Sequence, residues 1–236
     1  MKNRHFTLIE ILVVIGIILV LSGLLLPAVN SAIKKADSAK SKSSLTTLMN
    51  AIKQYESTYG KLPIPKKNND SDDYVEGVAF TRSESDDSDS DRADAMCQYS
   101  WLIKILQCVE PTTTQESKYG ALSAYNPRKI KFLDITSNEP GVFQDAWDED
   151  FFVIFDTNYD DKIQYTSSDN AITGLVSKDD SSKQYYYYSV IIWSKGPDKK
   201  AKAGHSSSDR SDKTNKDNIY SMNTQWDKSV GHKPIK

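Results

Sequence analysis

Phe6-Thr7-Leu8-Ile9-Glu10-Ile11-Leu12-Val13-Val14-Ile15-Gly16-Ile17-Ile18-Leu19-Val20-Leu21-Ser22-Gly23-Leu24-Leu25-Leu26 is the stretch whose reading decides the fold. Only Thr7, Glu10, Gly16, Ser22 and Gly23 interrupt its strongly apolar character. A helix of about 21 residues is roughly 30 Å long, the thickness of a bilayer core. Lys2 and Arg4 stand before the run, so the positive-inside rule predicts a cytoplasmic N-terminus and a single pass, with the rest of the chain on the far side. Glu10 is the one carboxylate inside the run. An acidic side chain at membrane depth costs about 3 kcal/mol on insertion scales, and such residues mark function.

Two plain readings compete. A cleaved secretory signal has a charged head and an apolar middle, but this run is longer than a typical apolar region. The segment Asn30-Ser31-Ala32 that follows is a poor cleavage site. A simple membrane anchor explains length and orientation but leaves Glu10 without a purpose.

Phe6-Thr7-Leu8-Ile9-Glu10 and the aliphatic residues after it resemble the N-terminal motif of type IV prepilins and type II secretion pseudopilins. The resemblance implies that residues 1–5 are a leader, removed by a prepilin peptidase that then methylates the amine of Phe6. It implies subunits that leave the membrane and stack their N-terminal helices into a filament. His5 stands where the family pattern has glycine. Glu10 acquires a role in this scheme: it pairs with the free amine of Phe6 on a neighbouring subunit. A buried charge is tolerable chiefly when paired, and the pairing would fix register between neighbours.

Pro27 ends the apolar run. Proline lacks a backbone donor and crowds the preceding turn, so a kink or interruption is expected there, as in related pilins. Beyond it Val29, Ala32, Ile33, Ala36, Leu45, Leu48, Ile52, Tyr55 and Tyr59 recur mostly at three- and four-residue steps. Gly60, Pro63 and Pro65 then stop the helix. The expected organisation is a leader over 1–5, a transmembrane helix over 6–27, an amphipathic continuation over 28–60 and a periplasmic head over 61–236. The apolar stripe should be covered by that head.

The 236 residues carry a formal net charge of −2, which gives no electrostatic case for a nucleic-acid partner. Residues 84–94 are acidic and serine-rich and read as a solvated loop. Residues 195–217 are polar and lysine-rich and read as part of a long surface loop over 194–219. Cys97 and Cys108 fall on a helix predicted over 96–109. Eleven residues on a straight helix span about 16 Å, too far for a disulfide, so buried free thiols are expected.

The strand candidates are Phe151–Phe155, Lys162–Thr166 and Tyr185–Trp193. The first two read as a hairpin with the third beside them. The fold class is therefore α+β: a long N-terminal helix, membrane-spanning in its first half, packed against a small antiparallel sheet.

Further fragments extend the resemblance. Tyr55 to Pro63 looks like the helix-end segment of pseudopilins. Asp145-Ala146-Trp147-Asp148 is similar to their Asp-Pro-Trp-Gly turn, and Ser194-Lys195-Gly196-Pro197-Asp198 to the Ser-x-Gly-x-Asp loop of the major, G-type pseudopilins. That group binds calcium in this late loop, which implies Asp198 and Asp217 as ligands with Ser194 as a further oxygen. Lys199 occupies a position where the family has glycine. Asp156, Asn158 and Asp160 form a second, weaker calcium candidate, because oxygen-bearing residues alternate as at the start of an EF-hand loop. Asp161 stands at its glycine position and Ser167 at its terminal glutamate position.

The implied activity is structural: polymerisation at the inner membrane to drive protein export. The implied partners are copies of itself, other pseudopilins, the prepilin peptidase, the inner-membrane secretion platform and membrane lipid. A type IV pilin or minor pseudopilin is the alternative of the same class. A membrane-anchored extracytoplasmic binding protein that does not polymerise is the alternative of another class. An enzyme is not expected: the chain has three histidines, His5, His205 and His232, and no G-x-S-x-G, H-E-x-x-H or phosphate-loop motif.

Overall fold

The computed structural model describes residues 7–65, 79–80, 89–134, 139–157, 159, 161, 163–165, 184–201 and 211–235. Helix α1 runs over Leu8–Tyr59, 52 residues and about 78 Å. Thr7 starts it with a capping box. Its backbone N–H and its hydroxyl each donate to the Glu10 carboxylate at 2.7 Å, and Thr7 Oγ1 accepts from the Glu10 N–H at 3.4 Å. Gly60 ends it at φ +67°, where its N–H donates to the Glu56 carbonyl at 2.7 Å.

The single helix of about 50 residues expected across these segments forms, and its backbone stays helical through position 27, so Pro27 removes one donor without interrupting it. One expectation about α1 needs correction: the stripe is covered only in its C-terminal part. Ser41, Leu45, Leu48, Ile52 and Tyr55 are buried, at steps of four, three, four and three. Val29, Ala32, Ile33 and Ala36 are exposed. The head therefore grips α1 only beyond about Asp37.

A four-stranded antiparallel sheet forms the centre of the head, in the order β1 (Ala79–Phe80), β2 (Phe152–Phe155), β5 (Val190–Ser194), β6 (Ile219–Tyr220). Register pairs Phe152 with Trp193, Val153 with Ile192, Ile154 with Ile191 and Phe155 with Val190. Alternation sends Val153, Phe155, Val190 and Ile192 into the core shared with α1 and helix α2 (Asp89–Gln107). Phe152, Ile154, Ile191 and Trp193 face the other way, into a second core with Tyr220. That second face is roofed by a separate hairpin, β3 (Ile163–Tyr165) with β4 (Gln184–Tyr186), through Ile163 and Tyr186. Both faces of the sheet are thus covered, which is why β2 and β5 read as unbroken apolar runs. Phe152 stacks on Trp193 at 4.1 Å between ring centroids, a contact of about 1 kcal/mol beyond its area.

The hairpin expected between Phe151–Phe155 and Lys162–Thr166 does not form, because β2 finds its partner in β5. The single strand expected over Tyr185–Trp193 is two strands in different sheets. Residues 89–94 of the expected acidic loop are instead the first turns of α2; residues 84–88 lie outside the described residues.

Helix α2 places Trp101, Leu102, Ile103, Ile105 and Leu106 in the core. Two short helices follow, α3 (Thr113–Tyr119) and α4 (Leu122–Tyr125). After them Asn126 is fully buried and fully used. It donates to the carbonyls of Ile105 and Ile130 and accepts from the Ile130 N–H and the Tyr59 hydroxyl. Cys97 and Cys108 are free and half-buried rather than buried, and Cys108 lies just past the end of α2 at φ +60°. The chain closes with hairpin β7 (Thr224–Asp227), β8 (Gly231–Pro234).

Candidate functional site

Two places bear on function: the projecting part of α1, and a set of loops that fastens the head to it.

From Leu8 to Leu26 the described apolar side chains are all at least half exposed, Leu8 at 83% and Leu26 at 65%. Glu10 is exposed on the first turn and engaged with Thr7. His5 and Phe6 lie outside the described residues, as does the side chain of Pro27. Among the described residues no helix is long and apolar enough to cross a membrane. The described apolar stretch is uninterrupted only from Leu8 to Gly23, since the side chains of Leu24, Pro27 and Ala28 fall outside it.

The fastening set begins at Ser41 of α1, whose hydroxyl accepts the Ala146 N–H at 2.9 Å. Neighbouring Asp145 is buried. Its Oδ1 accepts from the N–H groups of Trp147 and Glu149, and its Oδ2 accepts from the Ser194 hydroxyl at 2.6 Å. Ser194 Oγ in turn accepts the Gly196 N–H. Gly196, at φ +77°, lies so close to the Asp217 carbonyl that a Cβ would come within 2.3 Å of it. A side chain here would force the two segments apart. The route runs from α1 through the 145–149 turn to the loop after β5, and from there to Asp217.

Asp198 and Asp217 meet in that loop, with the Asp198 N–H donating to Asp217 Oδ2 at 3.3 Å. Burial, and secondly the charge of Asp198, raise the Asp217 carboxyl above its ordinary range. Two carboxylates at close quarters suit a cation. Ser194 does not join them: it is fully buried and its hydroxyl is committed to Asp145. Ser194, Lys195, Asn215 and Asn218 are buried, so the two ends of the expected surface loop are packed into the head, while residues 197–200 are exposed and residues 202–210 lie outside the described residues. Among the described residues no group of three or more His, Cys, Asp or Glu converges on one point.

In the second calcium candidate, Asp156 is buried and acts as the anchor of a turn. Its Oδ1 accepts the Tyr159 N–H at 2.9 Å and its Oδ2 the Asp161 N–H at 2.8 Å. Asn158 and Asp160 lie outside the described residues.

Three of the non-glycine residues with positive φ share one property. Asp148 at +62°, Asp161 at +62° and Lys199 at +56° each stand where the resembling motif carries glycine. The backbone keeps the left-handed turn in all three places although the side chain does not favour it.

Sequence reading missed the Ser41–Asp145–Ser194 chain. The quoted Asp-Ala-Trp-Asp turn was the available signal, because an aspartate opening a turn commonly caps the backbone two residues on. Ser41 carried no signal, since a serine in a polar helical stretch reads as solvated. Compared with family models, with curated proteins and with solved structures, the chain matches none.

Proposed function

We propose that this chain is the structural subunit of a filament, a pseudopilus of the type II secretion kind, anchored in the inner membrane by residues 6–26 before assembly. The observation that carries the reading is the projecting part of α1: an apolar helix joined to a folded head at one end only, with a lone carboxylate in its first turn. Such a helix must be covered by lipid, by other copies of itself, or by each in turn. The left-handed backbone at Asp148 and Lys199 adds support, because both positions fall where the pseudopilin motifs place glycine. In the isolated chain Glu10 serves its own helix cap. On assembly it exchanges Thr7 for the amine of a neighbour's Phe6.

The mass and N-terminal sequence of the protein from its native membranes test this reading. A chain beginning at N-methylated Phe6 is expected. An intact leader would remove the amine partner and favour an anchored binding protein, a reading that His5 in place of glycine supports. Glu10→Ala is expected to insert normally and to be absent from filaments, scored by shearing and immunoblotting; normal assembly overturns the pairing.

We propose in addition that Asp198 and Asp217 hold calcium, which would remove the repulsion between them. The remaining oxygens of a calcium shell would come from backbone carbonyls and water.

A further inference from the structure

Lys34, Lys35 and Lys40 are exposed on α1 between the apolar run and the point where the head takes hold, and none has an ion-pair partner among the described residues. Lys42 differs, since its ammonium donates to Asn223 Oδ1 at 3.0 Å. At about 100° per residue, the three free lysines stand at roughly 0°, 100° and 240° around the axis, a collar rather than a face. A partner protein docking from one side would meet only part of such a collar. A surface perpendicular to the helix meets Lys34 and Lys35 together, with Lys40 above it on a third bearing.

Axial position agrees with that surface. Lys34 and Lys35 lie about 12 to 14 Å beyond Leu26 at 1.5 Å per residue. Helical side chains lean toward the N-terminus, which here is toward the bilayer, and a lysine reaches back by about 6 Å. The two ammonium groups therefore fall about 6 to 8 Å from the end of the apolar run, in the headgroup layer. Lys40 sits one to two turns higher, within about a Debye length of that layer. Val29 and Ile33, half exposed at 49% and 53%, lie between, where an apolar residue meets the base of the headgroups. Lysines on the far side of a membrane oppose the orientation set by Lys2 and Arg4, so they carry a cost that a purely solubilising role does not require.

We propose that Lys34, Lys35 and Lys40 form a collar that binds anionic phospholipid headgroups in the leaflet through which α1 leaves the membrane. The proposal rests on the membrane placement of residues 6–26. It gives the subunit a store of charge contacts that must be surrendered when the helix leaves the bilayer, so the lipid headgroups hold unassembled subunits at a fixed height.

The test uses the full chain in phosphatidylcholine vesicles with trace spin-labelled phosphatidylglycerol or phosphatidylcholine, measuring how much of each lipid is motionally restricted. A K2Q/R4Q background removes the charges of the other leaflet. In that background phosphatidylglycerol should be preferred roughly fivefold, with the preference lost near 1 M salt. Adding K34Q/K35Q/K40Q should bring the two lipids to parity at an unchanged melting temperature. Equal restriction of both lipids in the K2Q/R4Q background overturns the collar while leaving the membrane reading intact. Restriction of neither lipid overturns the membrane reading and the collar with it. A preference that survives the three further substitutions overturns the collar alone.

Discussion

Lys199 holds a left-handed φ of +56° that its side chain does not favour. A left-handed φ costs a non-glycine residue about 1 to 2 kcal/mol, and aspartate tolerates it better than lysine. Lys199 recovers little from its 3.6 Å contact with Glu149, because the lysine side chain remains about half exposed. Lys199→Gly should therefore stabilise the protein by about 0.5 to 1 kcal/mol after the greater freedom of glycine in the unfolded chain is subtracted, read as a rise in denaturation midpoint. Asp217 makes the opposite kind of case. Its folded carboxyl titrates above the ordinary range, so the native state binds the proton more readily than the unfolded state does. Stability is then lost as pH rises through that raised value and is regained on acidification. Asp217→Asn should raise the melting temperature at neutral pH in chelator and erase any rise that calcium gives the parent protein. A calcium response unchanged in the variant would place the ion elsewhere. The residue scale is also where the sequence was hardest to read. Left-handed aspartates and a left-handed lysine leave no mark in composition, and only the comparison with a glycine-bearing motif points to them.

Among the elements, α1 was legible almost to the residue at its C-terminal end. Periodicity, Gly60 and the two prolines act locally and in the same direction there. Strand pairing was not legible. Phe152–Phe155 and residues 190–193 are apolar at every position, and an unbroken run does not say which face meets which partner. The same pattern hid the second core, since it is the roofing hairpin β3–β4 that makes the outer face apolar. Hairpin β7–β8 adds an element whose attachment depends on pH. His232 hydrogen-bonds through Nε2 to the Asn215 carbonyl at 2.9 Å and through Nδ1 to the Thr224 hydroxyl at 3.1 Å. Its ring lies between those of Tyr220 and Trp226. Burial lowers its basicity, partly offset by the Asn215 carbonyl, so the folded state resists the proton that the unfolded state accepts below about pH 6.5. Stability from this group is complete above that value and falls on acidification. Once corrected for the intrinsic slowing of amide exchange in acid, the protection factors of Thr224–Asp227 and of residues 231–233 should fall between pH 7 and pH 5, and His232→Gln should flatten that dependence.

The whole molecule divides by contact rather than by sequence. Every described side chain up to Ala36 is exposed, whereas the core draws on α1 only from Ser41 onward. Removing residues 1–36 should leave the melting temperature of the head within about 3 °C of the full chain in detergent, measured by circular dichroism. A large fall would mean that the projecting helix supports the head. The α+β architecture follows from patterns that the sequence displays openly. The point at which the head releases the helix does not, because Val29 and Ile33 continue the apolar stripe past the last residue the head covers.

The bond from Ala146 to Ser41 does more than hold two parts together. A rigid helix clamped at one position behaves as a shaft keyed to its hub, so the clamp sets the compass bearing of everything further along it. Glu10 lies 31 residues from Ser41, about 8.6 turns, and its bearing relative to the head is thereby fixed. One residue inserted anywhere between them would lengthen the shaft by only about 1.5 Å yet swing Glu10 through about 100°. A head carried to its place by such a shaft would present a different side to its neighbours, with no contact inside the subunit disturbed.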